Sequence, residues 1–440
     1  MKSRVTVGMI GLGTVGCGVA KVLLGNASLI AKRVGVPIEL VRIADLDITT
    51  DRGLSFPDGM LTTDAQSVLE DADIDIVVEL IGGYDPAKRF ILKALKNGQS
   101  VVTANKALLA VHGEEIFHAA ASARVDLGFE ASVGGGIPII KALTEGLAAN
   151  AVTSMFGIMN GTSNYILTKM TEDGKGFEEV LQRARDEGYA EADPTFDVEG
   201  VDAAHKLAIL VNLAFGTTVN IKDIHTEGIS RLSTLDLEFA REFGYTIKLL
   251  SIAKYLDHEI EARVHPTLVP STSPMAQVGG VYNAIHVVGD AVGDVVLYGQ
   301  GAGSLATASA VVSDIVDIAR NRLKNIAGRV PVASYQWEHR APIRLRPIEE
   351  ISSMYYLRFM VVDEPGVLSQ IASTLGAQNI SISSVLQKGR QQGQTVPLVI
   401  MTHRSSERSV QAAIQTITRM PFVSEAPMLL RIEGASHDGE

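Results

Sequence analysis

The chain has 440 residues, 46% of them apolar and 20% charged, and 50 acidic against 39 basic side chains give a net charge of −11. This is the composition of a folded globular protein of about three domains. An acidic balance with no run of five Lys or Arg argues against nucleic acid or an anionic membrane as the main partner. The single cysteine, Cys17, excludes a disulfide framework and a cysteine-rich zinc site, fits a reducing compartment and reads as a small packing residue.

The start, Lys2 and Arg4 followed by Val5 to Ile10, mimics a secretory signal, but glycines at 11, 13, 16 and 18 break the apolar run. Elsewhere the longest apolar stretches, such as Leu207 to Phe215, fall far short of the roughly 18 residues a bilayer span needs. The expected location is cytoplasmic.

Residues 5–10 are β-rich, 11–16 read Gly-Leu-Gly-Thr-Val-Gly, and Val15 to Leu24 carry apolar residues at helical spacing. Strand, glycine turn and helix in that order form the dinucleotide-binding context. Gly11 makes the tight turn, Gly13 lets backbone approach a pyrophosphate, Gly16 lets helix and strand close, and Leu12, Thr14 and Val15 lie in the same loop and helix start. Further strands are expected at 38–44, 74–81, 100–103 and 125–129, with helices near 64–71 and 86–97 between them. Alternating strands and helices imply an α/β fold, a Rossmann-like parallel sheet, over 1–135. The second strand ends at Asp45, an acid for a ribose hydroxyl, while Arg42 and Arg52 on either side suit a 2′-phosphate, so NAD and NADP both stay open.

Glu130-Ala-Ser-Val-Gly-Gly-Gly-Ile-Pro138 ends regular structure, and an α+β domain is expected over 136–330, with 311–330 returning to the first domain. Its clearer helices are 139–147, 177–187 and 203–213, and 153–159, 260–269 and 280–299 are β-rich. Pro331, Pro342 and Pro347 mark a linker over 331–352. Residues 353–433 follow a βαββαβ order, with a turn at Asp363-Glu-Pro365-Gly366, and 434–440 read as a tail.

The most informative segment runs from Glu187 to Lys206. Several acids precede a helix on which Asp202 and Lys206 stand at i and i+4 and share one face. A solvated ion pair is the bland explanation, but the almost wholly apolar Leu207 to Leu213 makes the helix a buried one. A positioned Lys can give a proton to the alkoxide formed by hydride transfer, and carboxylates such as Glu191 and Asp202 suit a substrate ammonium. Lys106 closes Thr-Ala-Asn-Lys at the carboxyl end of the fourth strand, where open parallel sheets bind ligands, unless it simply faces solvent.

At these residues the chain resembles homoserine dehydrogenases, through 11–16, 103–106, 130–138, Asn-Gly-Thr-Ser-Asn-Tyr-Ile-Leu (160–167), Gly-Tyr-Ala-Glu-Ala-Asp-Pro (188–194), 197–206 and Gly-Gln-Gly-Ala-Gly (299–303). The resemblance implies interconversion of L-homoserine and L-aspartate 4-semialdehyde with NAD or NADP, in threonine, methionine and isoleucine biosynthesis. It implies Lys206 as proton donor and acceptor, Lys106 beside cofactor and substrate, Glu191 and Asp202 on the substrate, and Asp197 in support. It also implies a sodium or potassium ion at Glu130, Val133, Gly135 and Ile137, a stretch that reads equally well as a glycine hinge. Gly82, Gly188 and Gly303 would let backbone lie close to the dinucleotide.

Residues 353–433 resemble an ACT domain, with Asp363, Pro365, Gly366 and Asn379 at its usual ligand positions. That implies threonine as a feedback effector; a stability or dimerisation module without ligand is the alternative. A homodimer or homotetramer is expected. Two rival functions remain: a related oxidoreductase on another amino-acid semialdehyde, and a non-catalytic dinucleotide-binding amino-acid sensor. An acyl-forming semialdehyde dehydrogenase would need a nucleophilic cysteine, and Cys17 in the glycine turn is badly placed for that.

Overall fold

A computed structural model describes residues 2–388 and 393–434, and the chain divides into two compact units. The expected tail lies, from residue 435 on, outside the described residues.

The first unit comprises Met1–Gly161, Asp202–Ile224 and Tyr282–Ile343. Its main sheet has six parallel strands: β1 (Val5–Ile10), β2 (Ile38–Ala44), β3 (Leu61–Thr62), β4 (Ile76–Glu79), β5 (Ser100–Thr103) and β6 (Leu127–Gly128), in the order β3-β2-β1-β4-β5-β6. All six residues of β1 are buried, as a central strand covered on both faces requires. The first crossover is two helices, α1 (Thr14–Gly25) and α2 (Ala27–Val34), ended by Gly35 in the left-handed region. That extra helix accounts for the long spacing from Gly16 to Asp45. The later crossovers carry α3 (Gln66–Leu69), α4 (Ala87–Lys96) and α5 (Lys106–Ala123).

The helix Ser304–Leu323 returns to this sheet. Its Ala308, Ile315 and Ala319 join Val5, Val7 and Met9 in one core, and each large aliphatic side chain buried there contributes roughly 1.5–3 kcal/mol. Ser304 Oγ donates to the Thr14 carbonyl at 2.7 Å. The same unit holds three antiparallel strands, Val152–Ile158, Tyr282–Gly289 and Gly293–Gln300. The helix expected at 139–147 is one short α-turn, Ile139–Lys141, that widens into a π-turn over Ala142–Gly146.

The second unit comprises Thr162–Val201, His225–Val281 and Arg344–Glu440. Strands Tyr245–Leu256 and Glu259–Pro270 form a long hairpin. Asp257 and His258, both at positive φ, make the two-residue turn that matches the twist of such a pair. The βαββαβ module follows as Ser352–Val362, helix Val367–Ala377, Ile382–Gln387, Thr395–Thr402, helix Glu407–Thr418 and Met428–Ile432. Met428–Ile432 also pairs in parallel with Glu259–Pro270, through Thr267 opposite Arg431 and Leu268 opposite Ile432. The module's sheet is therefore continuous with the hairpin.

Candidate active site

β1 delivers Gly11 to the carboxyl edge of the parallel sheet at φ +105°. A side chain there would meet the Leu80 carbonyl group at 2.8 Å, and one at Gly16 would come within 2.3 Å of the Gly11 oxygen, so both positions need glycine. Gly13 caps α1 with open space around it, and the unpaired N–H groups of the first turn can face a pyrophosphate. Leu12 N–H donates to the Asp45 carboxylate, which also faces Arg52 Nη2 at 3.5 Å. Arg42 is directed elsewhere: it donates to the Ser67 carbonyl at 2.8 Å and lies 3.3 Å from Asp71. Of the two arginines flanking Asp45 in sequence, only Arg52 meets it.

Lys106 is the first residue of α5, whose N-terminus Asn105 caps by accepting the Leu108 N–H at 3.1 Å. Its ammonium lies 2.6 Å from Asp202 Oδ1. Asp202 stands one turn before Lys206 on the helix Val201–Phe215, and Lys206 Nζ donates to Asp202 Oδ2 at 2.7 Å and to the Met159 carbonyl at 2.6 Å. Asn160 Nδ2 donates to the same Oδ2 at 2.9 Å. Asp202 and Lys206 are both buried. Burial would raise the Asp202 carboxyl, but the Lys206 and Lys106 ammonium groups overcome it and hold the group well below the usual carboxylate range. Next to Lys206, burial lowers His205 and favours its neutral form. A cationic acid held by a carboxylate and a carbonyl is equipped to protonate a forming alkoxide and to stabilise its charge. The sequence pointed to Lys106, Asp202 and Lys206; it did not single out Met159 or Asn160, although Asn160 opens the 160–167 motif.

The second unit holds Gly188, Glu191 and Asp197. Thr162 Oγ1 donates to the Tyr189 carbonyl at 2.7 Å and Ser163 Oγ to the Asp197 carbonyl at 2.9 Å, which ties the Gly188–Asp197 segment to the start of the helix Gly161–Asp173. Glu191 is exposed. Lys248, unremarked in the sequence, is buried with Nζ 2.6 Å from the Val278 carbonyl and 3.3 Å from Asn164 Oδ1, and burial pulls it down to about 8.

Family profiles match three consecutive stretches of the chain. Residues 11–130 match the profile described as "Homoserine dehydrogenase, NAD binding domain", 138–316 the one described as "Homoserine dehydrogenase", and 355–422 the ACT domain. The homoserine dehydrogenase of Neisseria gonorrhoeae is 47% identical over 434 residues, covering 99% of each chain. The crystal structure of a homoserine dehydrogenase from Thiobacillus denitrificans superposes with a TM-score of 0.93 at 47% identity, covering 98% of both chains. That of S. aureus homoserine dehydrogenase at pH 7.5 gives 0.77 at 35% identity over 98% of this chain and 99% of that one. The chain belongs to the homoserine dehydrogenase family. It is an oxidoreductase with an NAD-binding domain and a C-terminal ACT domain.

Glu130, Val133, Gly135 and Ile137, the positions expected to hold a monovalent cation, lie in a turn between β6 and the antiparallel strands. Here the Glu130 carboxylate accepts the Ile140 and Lys141 N–H groups at 2.7 and 2.9 Å. Its own N–H donates to Asp314 at 2.8 Å. Burial first and the Asp314 charge second push the Glu130 carboxyl up to about 7. Gly135, at φ +57°, lies so close to Gly301 that a side chain would meet its carbonyl oxygen at 2.5 Å. Gly303 caps the helix Ser304–Leu323 at φ +112°.

In the ACT domain, Asp363, Pro365 and Gly366 line a cavity of about 240 Å³ together with Leu368, Gln387 and Leu398. Asn379 is not part of that lining; it ends the helix Val367–Ala377 at φ +58°, its N–H donating to the Gly376 carbonyl.

Proposed function

We propose that this chain interconverts L-homoserine and L-aspartate 4-semialdehyde with NAD or NADP, as a step of threonine, methionine and isoleucine biosynthesis. The observation that carries the reading is the Lys206 ammonium held between the Asp202 carboxylate and the Met159 carbonyl, with Lys106 on the other carboxylate oxygen. The bound dinucleotide would supply or accept the hydride. Lys206 gives its proton to the carbonyl oxygen as the alcohol forms and takes one back in the oxidative direction. Lys106 adds positive charge beside the same centre.

Asp202 is the counter-ion of both ammonium groups, Lys106 on Oδ1 and Lys206 on Oδ2. A substrate ammonium would compete with Lys106 for Oδ1, because Lys206 and Asn160 occupy Oδ2. Glu191 is assigned to that ammonium, and Asp197 to support, on the family resemblance. Gly11 to Gly16, Gly82, Gly188 and Gly303 are the backbone positions assigned to the dinucleotide, with Asp45 and Arg52 at its adenosine ribose.

A monovalent cation, sodium or potassium, is assigned to the Glu130–Ile137 turn on the family resemblance, beside a Glu130 carboxyl that burial and Asp314 raise and Lys141 lowers. Glu130, Val133, Gly135 and Ile137 would hold it with one carboxylate and backbone oxygens, suited to a hard ion. Its contribution would be charge compensation and a fixed turn.

The ACT cavity has the size for a free amino acid, and threonine is the effector we assign to it. A homodimer or homotetramer is inferred from the edge strand Gly293–Gln300, which exposes Val296 and Tyr298. Among the described residues no single helix is long and apolar enough to cross a membrane. We place the enzyme in the cytoplasm on its lone cysteine and its dinucleotide chemistry.

The deciding experiment is homoserine-dependent reduction of NAD and of NADP, each with and without threonine. Absence of reduction with either cofactor would leave the non-catalytic sensor standing; turnover confined to another amino-acid semialdehyde would favour the related oxidoreductase. Asp363→Ala should keep turnover and lose threonine inhibition, and unchanged inhibition would remove the cavity from the assignment.

A further inference from the structure

Glu79 is a fully buried carboxylate to which the reaction assigns nothing. It ends β4, at the centre of the carboxyl edge, opposite Ile10 on one side and Thr103 on the other. Among the described residues it forms no ion pair, and burial raises its carboxyl against the hydrogen bonds it accepts. Those bonds form a closed circuit. Glu79 Oε1 accepts the Ile81 and Gly82 N–H groups at 2.9 and 3.2 Å. Oε2 accepts the Thr103 hydroxyl at 2.6 Å, and that hydroxyl accepts the Asn105 N–H at 3.0 Å. The Asn105 side chain returns to the starting loop, donating to the Gly83 carbonyl at 2.7 Å, while its oxygen caps the helix that begins at Lys106.

An apolar residue would pack at this place without the cost of a desolvated carboxyl group. What the carboxylate adds is orientation: it gathers two consecutive N–H groups from a turn whose glycines, 82 and 83, both have positive φ, and locks that turn to β5. We propose that Glu79, acting with Thr103 and Asn105, is a positioning residue that sets the Gly82–Gly83 backbone and the Lys106 ammonium in one register. The nicotinamide end of the cofactor and the charge beside the substrate are thereby placed together. The inference rests on the assignment of Gly82 to the dinucleotide and of Lys106 to the active site.

The test uses the full-length enzyme, after wild-type turnover of homoserine has been established. Failure of that first measurement would count against the proposed function, and failure of the variants against this inference. Glu79→Ala and Thr103→Val are compared with Glu79→Gln, which keeps an acceptor for the two N–H groups. Melting temperature, kcat, and the dissociation constants of NADPH and of its fragment lacking nicotinamide, 2′-phospho-ADP-ribose, are measured for each. The expected result is a kcat lower by about 10-fold or more, on the scale of a misplaced catalytic group. NADPH affinity should fall while fragment affinity holds, with partial recovery in Glu79→Gln. A merely structural role would weaken the cofactor and its fragment alike. That pattern, or a kcat within about twofold of wild type in a folded Thr103→Val enzyme, would overturn the proposal, and Thr103→Val decides the matter if Glu79→Ala does not fold.

Discussion

Asp202 and Lys206 lie one helical turn apart in sequence and 2.7 Å apart across an ion pair nearly closed to solvent, with side chains 3% and 9% exposed. The pair fixes the Lys206 ammonium in place, with the Met159 carbonyl as its second partner. Lys206→Ala should therefore lower kcat by about 10²- to 10⁴-fold, the usual contribution of a general acid, while the Gly11–Gly16 turn continues to bind dinucleotide. Steady-state turnover together with fluorescence titration of NADPH measures both. A variant turning over near the wild-type rate would remove Lys206 from the chemistry.

Cofactor choice should turn on Arg52 and not on Arg42. Arg52 faces Asp45 at the end of β2, whereas Arg42 is held by Ser67 and Asp71. Loss of a charge-assisted hydrogen bond costs about 1.5–3 kcal/mol. Arg52→Ala should then reduce kcat/KM for NADP by roughly 10- to 100-fold with little change for NAD. Equal effects on the two cofactors would take Arg52 away from the 2′-phosphate.

Arg431, on the ACT strand Met428–Ile432, donates to both Glu407 oxygens, at 2.8 and 2.6 Å, and to Glu227 at 3.0 Å. Arg431 and Glu407 are each 1% exposed. Removing one partner strands a buried charge, so Glu407→Ala should lower unfolding free energy by about 3–5 kcal/mol in urea titrations. A loss below about 1 kcal/mol would mean that water or Glu227 compensates.

Mild acidification should cost the stability that two buried neutral histidines contribute, while Glu130, held up to about 7, acts in the opposite direction over the same range. Burial, then Arg431 and Arg263, hold His265 well below its ordinary 6.5, and burial lowers His205 as well. Below about pH 6.5 the unfolded chain takes up protons that the folded chain refuses. The unfolded state then binds more protons, and unfolding free energy drops with falling pH by about 1.4 kcal/mol per unit for each such histidine. Urea midpoints between pH 7.5 and 5 test this in the difference between the two proteins: His265→Gln should gain stability relative to wild type as the pH falls. An identical slope in that variant would place the titration elsewhere.

Much of the nucleotide-binding half was legible because its signals are local. Strand, glycine turn and helix at 5–24 follow from apolar spacing and from glycines at fixed offsets. The βαββαβ order after residue 353 follows from alternation and turn chemistry in the same way. Tyr245–Leu256 is not legible as a strand because its polar residues, Thr246, Lys248, Ser251 and Lys254, recur at spacings of two and three, a period that does not separate strand from helix. The 18-residue α5 is marked in the sequence chiefly by its cap residue, Asn105. At 139–147 a helical pattern was present, but the chain widens into a π-turn beside Glu130, whose carboxylate takes the N–H groups of Ile140 and Lys141.

What the sequence determined by itself was the chemistry available: a lysine and a carboxylate one turn apart on an apolar helix, a second lysine after a strand, and a glycine turn made for phosphate. Tertiary structure decided the partners. It brought Lys106 to the far oxygen of Asp202, chose Arg52 over Arg42 for Asp45, closed the circuit from Glu79 through Thr103 and Asn105 to Gly83, and joined the ACT strand to Glu259–Pro270. The physical reason is reach. Helical and strand periods act over a few residues and can be read along the chain, whereas each of these pairings depends on strand order and register set by long-range burial.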